Sequence, residues 1–99
     1  MNVKKTVTGN RMDLVLEGKF DAVSAPAFEN EISGELEGIT ELDIDLNAVE
    51  YISSAGLRAL LFLQQTMDEV EGKMTVRNVP EIVKGIFEIT GFSEIIKTV

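Results

Sequence analysis

Residues 41–47 constrain this chain more than any other segment. Leu42, Ile44 and Leu46 alternate with Asp43, Asp45 and Asn47. A period of two puts the aliphatic side chains on one face of an extended strand and the polar ones on the other. A strand with one dry and one wet face belongs to a sheet left mostly open to water on one side. Ala48–Ile52 is predicted as a short loop. From Ser53 or Ser54 to Val70 the pattern is helical, and Gly72 is its stop signal.

The remaining segments fall into place around this strand–helix pair. Residues 2–8 and 11–17 read as a hairpin turned at Gly9-Asn10, with Met12, Leu14 and Leu16 on one face of the second strand. Gly18 is expected to end that strand, and Lys19–Val23 to form a loop. Ser24 can cap a helix that carries Pro26 in its first turn, runs to about residue 36 and buries Phe28, Ile32 and Leu36, with Gly38 closing it. Residues 73–79 form a fourth strand with Met74 and Val76 inward. Pro80 opens a further helix with Ile82, Val83, Ile86, Phe87 and Thr90 at helical spacing, and Gly91 caps it. Phe92, Ile95 and Ile96 suggest a last short helix or a packed tail. Strand–helix–strand units imply parallel neighbours. The expected fold is α/β, one domain over residues 1–99, with a mixed four-to-five-stranded sheet and helices mainly on one face.

Composition excludes several function classes. Nine basic residues against 17 acidic ones give a net charge of -8. Binding to nucleic-acid phosphates needs lysines and arginines that displace counterions, so neither nucleic acid nor an anionic membrane is an expected partner. Such acidity instead suits a basic surface on another protein. The chain has no cysteine and no histidine. Thiol nucleophiles, imidazole acid–base chemistry and zinc or iron–sulfur ligation are therefore unavailable. Asp21, Asp43 and Asp45 read as solvated charges rather than a Mg²⁺ site. No cofactor is expected. The N-terminus has no apolar leader and no stretch is long enough to span a bilayer, which points to the cytoplasm.

One segment invites a functional reading. Tyr51-Ile52-Ser53-Ser54-Ala55-Gly56-Leu57-Arg58 leaves the third strand and enters the long helix, where α/β proteins tend to place their sites. A serine here can satisfy the unpaired N–H groups of the first turn. Those groups also favour an anion by roughly 0.3–1 kcal/mol. A helix cap and a phosphate site are both compatible with the pair. Two adjacent serines exceed what a cap requires, and Ala55-Gly56 let a partner approach closely.

Asp43-Ile44-Asp45-Leu46-Asn47, Tyr51 to Leu57 and Leu60-Leu61 together resemble the signature of the STAS domain, particularly of bacterial anti-sigma factor antagonists. Leu16 to Asp21, and Ile86-Phe87 with Thr90-Gly91-Phe92, resemble further family elements. The resemblance implies a protein-binding switch and not an enzyme. The unphosphorylated antagonist binds an anti-sigma factor that is also a serine kinase, phosphorylation releases it, and a phosphatase resets it. Aligned on Gly56-Leu57, the family's phosphorylated serine falls on Ser54, with Ser53 as second choice. The family's aspartate falls on Ser53 and its Ser/Thr on Ala55, so this chain departs from the pattern at both positions. Asp21 resembles an acidic loop residue near the turn, and Arg58 stands where a glycine is common. A competing reading is a STAS module in a transporter accessory subunit or signalling scaffold, without phosphorylation.

The long helix adds one further candidate. With Arg58 as reference on a helical wheel, Gln65 and Glu69 fall within about 20° and Phe62 lies roughly 40° away. The opposite side is denser in Leu60, Leu63, Met67 and Val70. Phe62 is either an exposed anchor for a partner or covered by the segment around Phe92. The expected partner-binding set is Asp21, Ser53, Ser54, Ala55, Gly56, Arg58 and Phe62.

Overall fold

A computed structural model describes residues 1–99. The chain forms β1 (Asn2–Thr8), β2 (Arg11–Phe20), α1 (Ser24–Ser33), β3 (Glu41–Ile52), α2 (Ser54–Glu69), β4 (Lys73–Arg77), α3 (Glu81–Thr90), α4 (Phe92–Ile95) and β5 (Lys97–Thr98). The five strands lie in chain order. β1 and β2 form the expected antiparallel hairpin, and β2 to β5 run parallel. Every crossover steps to the next strand in the same direction. Crossovers of one hand, each stepping the same way, place their helices on the same sheet face.

The core lies between that face and the helices. Met12, Leu14, Leu16 and Phe20 of β2, and Leu42, Ile44 and Leu46 of β3, are buried beneath Phe28 and Ile32 of α1 and Leu60, Leu63 and Met67 of α2. Phe20 and Phe28 meet edge to face at 5.2 Å, a geometry that aligns ring edge with ring face. On α3, Val83 and Phe87 are buried, whereas Ile82, predicted to face inward, is 58% exposed. Ile82 stands at the solvent edge of the stripe that Val83 and Phe87, four residues apart, turn to the sheet.

Two expected loops are strand. β2 runs through Gly18 to Phe20, and β3 continues past Asn47 to Ile52. The register shifts twice, between Val15 and Glu17 and between Gly18 and Lys19, with β3 carrying the extra residue each time. Each extra residue interrupts the alternation, so Leu46, Val49 and Ile52 are the buried positions there. A spacing of three conceals a bulged strand from a search for period two. Gly18 permits the distortion at φ +101°, a backbone region open to glycine.

The open face is polar but partly dry. Asp43, expected as a solvated charge, is only 6% exposed. Arg77 donates to it through Nε at 2.7 and 3.0 Å, and Arg11 Nη2 at 3.2 Å. Arg11 and Asp43 sit on adjacent strands, as do Asp43 and Arg77, which lets two guanidiniums enclose one carboxylate. Both guanidiniums are held above the usual arginine range, Arg11 chiefly by its hydrogen bond to Asp13 and Arg77 by that to Asp43. Asp45 accepts from Asn78 Nδ2 and the Asn47 amide.

Candidate functional site at the strand-to-helix turn

β1 reaches β2 only as far as Glu17, and β4 reaches β3 only as far as Asp45. Beyond those points Gly18–Phe20 and Val49–Ile52 pair with each other alone. The two strands therefore project from the sheet as a two-stranded ribbon, and the Ser53-Ser54 turn sits at its tip.

Ser53 occupies the N-cap position with extended backbone, and its carbonyl accepts from the Leu57 amide at 3.0 Å. Its side chain does not cap the helix, one of the two roles open to the serine pair. Ser53 Oγ makes no hydrogen bond to the helix, and it is buried without a partner. The rest of the turn is held by backbone: the Ser53 amide donates to the Phe20 carbonyl at 2.9 Å. Gly56 then packs onto that same carbonyl. A Cβ at Gly56 would lie 2.6 Å from Phe20 O and 2.8 Å from Ile52 Cγ1, so the close approach of α2 to the ribbon depends on glycine. Ser54, by contrast, is exposed at the first position of a 16-residue helix.

Asp21 follows Phe20 and organises the neighbouring loop. Its Oδ1 accepts from the amides of Val23 at 3.0 Å and Ser24 at 3.1 Å, and its own amide donates to Ser24 Oγ. These bonds, that from the Ser24 amide first, hold the Asp21 carboxyl below its usual range because they favour the charged form. Asp21 thus does the capping expected of Ser24, whose hydroxyl donates to the Lys19 carbonyl instead. The helix ends at Ser33, and Leu36 is buried just beyond it.

Arg58 is exposed and enters no ion pair, and Phe62 is 38% exposed. The segment expected to cover Phe62 goes elsewhere, since Phe92 packs on Phe87 at 6.3 Å. Two exposed apolar residues lie outside the expected partner-binding set: Val23, in the loop that follows Phe20, 86% exposed, and Tyr51, at the end of β3, 46% exposed. Val23 belongs to neither hydrophobic periodicity, and that was the available signal. None of the four surface clefts includes Ser53 or Ser54. The turn therefore offers no enclosed cleft of the kind that holds a small ligand.

The STAS domain family model matches residues 2–99. The chain belongs to the STAS domain family. Its relatives include the anti-sigma-B factor antagonist of Bacillus subtilis strain 168, 29% identical over 98 residues, covering 97% of this chain and 90% of that one. The protein of the same name from Listeria monocytogenes is 30% identical over 90 residues, covering 89% and 78%. Among solved structures, the anti-sigma factor antagonist SpoIIAA in its unphosphorylated form superposes with a TM-score of 0.79 at 15% identity, over 99% of this chain and 87% of that one. Its phosphorylated form gives 0.78 at 16%, over 99% and 91%. These likenesses confirm the STAS fold, with its mixed sheet and one-sided helices. No helix is long and apolar enough to cross a membrane.

Proposed function

We propose that this STAS domain is an anti-sigma factor antagonist whose binding is switched by phosphorylation of Ser54. The observation that carries this reading is the contrast between the two serines. Ser54 presents its hydroxyl to solvent at a helix N-terminus, while Ser53 Oγ is sequestered. A kinase can reach the first and not the second. The names of the relatives support the antagonist role, and SpoIIAA is a STAS fold known in phosphorylated and unphosphorylated forms.

The switch follows from electrostatics. Phosphorylation adds about -1.5 to -2 charges to a chain already at -8. The amides of the first turn of α2 stabilise the phosphate internally. An interface that buries the turn against Asp21, Ala55, Gly56, Arg58 and Phe62 must then accommodate a bulky dianion beside an existing carboxylate. A tenfold loss of affinity requires only about 1.4 kcal/mol, so release needs no refolding. A phosphatase resets the system.

The test incubates the chain with ATP and each ATP-dependent anti-sigma factor of the host genome, then maps phosphate by mass spectrometry. Modification at Ser54, absent from Ser54→Ala, is the expected result. Phosphate that persists in Ser54→Ala would overturn the assignment.

A further inference from the structure

Resting on the phosphorylation of Ser54 proposed above, we infer that Gly56 is a positioning residue for that reaction, with the Phe20 carbonyl as the stop it packs against. A methyl at Gly56 would lie 2.6 Å from Phe20 O, 2.8 Å from Ile52 Cγ1 and 3.1 Å from Phe20 Cγ. None of these neighbours is free to move aside. Phe20 and Ile52 are fully buried, and a close-packed interior leaves few voids to move into. Phe20 O is itself bonded to the Ser53 amide at 2.9 Å. The first turn of α2 must therefore yield, by about 0.8 Å, the difference between 2.6 Å and ordinary contact at 3.4 Å. Ser54 stands between the two residues that hold this oxygen, Ser53 through its amide and Gly56 through close packing. It cannot keep its place when that hold is lost.

The far end of α2 carries the same arrangement. A methyl at Gly72 would lie 2.6 Å from the Thr40 carbonyl oxygen, and that oxygen accepts from the Lys73 amide at 2.8 Å. At each end of the helix, one carbonyl takes an amide and packs a glycine. Neither glycine has a positive φ, so lack of bulk, and not backbone conformation, is what both positions require. The two ends differ in what they carry. Gly56 lies in the same turn as Ser54, whereas Gly72 follows the helix, which has 16 residues and is about 24 Å long. A misplacement of about 1 Å can cost about 100-fold in the rate of a reacting group. Overpacking at either end lowers stability alike, but only Gly56 sets where the Ser54 hydroxyl stands.

The test compares Gly56→Ala with Gly72→Ala as substrates of the anti-sigma factor kinase that phosphorylates the wild-type chain. Single-turnover rates at saturating kinase isolate phosphoryl transfer, and the kinase concentration at half the maximal rate reports binding. Gly56→Ala is expected to slow the saturated rate by about tenfold to 100-fold, with half-saturation within about twofold of wild type. Gly72→Ala is expected to leave both within about twofold, although its urea midpoint falls as far. A semisynthetic chain with an ester in place of the Ser53 amide removes the bond to Phe20 O without adding bulk. It should slow the rate in the same way, and it decides the matter if Gly56→Ala does not fold. Equal rates for the two alanine variants, or an ester chain at the wild-type rate, would overturn the positioning role. Hydrogen exchange needs no kinase: the Ser53 amide should exchange about tenfold faster or more in Gly56→Ala, and at the wild-type rate in Gly72→Ala. Unchanged Ser53 exchange in Gly56→Ala would overturn the hold on the turn. A wild-type chain that no anti-sigma factor phosphorylates would sink the phosphorylation reading, and with it the reaction that Gly56 serves, whatever the exchange shows.

Discussion

The Ser53 amide and the Phe20 carbonyl are joined at 2.9 Å, and this bond ties the turn that carries Ser54 to the loop that carries Asp21. Phe20 O also receives Gly56 at close range. One carbonyl thus fixes both the height of the turn and the approach of α2.

Gly56→Ala is expected to destabilise the fold by about 1–3 kcal/mol, the usual cost of overpacking, although alanine favours a helix. Gly85→Ala is the matched control. Nothing lies within 4 Å of a Cβ there, so the helix should gain about 0.5–1 kcal/mol. Urea unfolding of the two variants should move the midpoint in opposite directions.

Ser53→Ala should leave stability within about 0.5 kcal/mol of wild type, where loss of a working serine cap costs about 1 kcal/mol. The hydroxyl removed is already without a partner. Ser53→Asp should stabilise α2 by about 0.5–1 kcal/mol, since its carboxylate can accept from the Ala55 or Gly56 amide. Thermal unfolding of both variants measures this directly.

How much of this was legible in the sequence depends on the element. The hairpin, the α2 boundary and the inward faces of β2 and β4 follow from alternation and turn residues alone. The upper half of β3 does not, because its two bulges turn period two into period three between Leu46 and Ile52. The position of Ser54 was legible through the Ser-Ser-Ala-Gly-Leu pattern. The inactivity of Ser53 as a cap was not, since composition cannot say which way a hydroxyl turns. Nor could spacing reveal that Asp43 is enclosed by Arg11 and Arg77, because that contact joins three strands distant in sequence.

Asp43→Ala should cost about 1.5–3 kcal/mol, the range for hydrogen bonds to a charged group, and leave Arg11 and Arg77 without the carboxylate between them. Raised salt should recover part of the loss by screening them. Urea midpoints at low and high ionic strength give the comparison, and a variant insensitive to salt would exclude the repulsion.

The Asp21 loop should loosen in acid. Its carboxyl titrates below the reference value of 3.8 in the folded chain. A depressed folded value contributes stability that is fully present above the unfolded pKa and is lost as pH falls through the folded one. The amide signals of Val23 and Ser24 should therefore shift together only below about pH 4. In Asp21→Asn they should stay constant across the same range.

Phe62→Ala should lose binding to the anti-sigma factor with less than about 1 kcal/mol of destabilisation, because the ring is already partly in water. A larger stability loss, seen in urea, would return Phe62 to the core.

Strand order that repeats chain order has a consequence for biosynthesis. Each strand, as it leaves the ribosome, meets the edge laid down just before it, and no segment must be threaded between two others. Synthesis runs from the N-terminus, so the β2–β3 ribbon can zip as soon as α1 and β3 emerge. The Ser53-Ser54 turn is thus framed early, before the later strands are made.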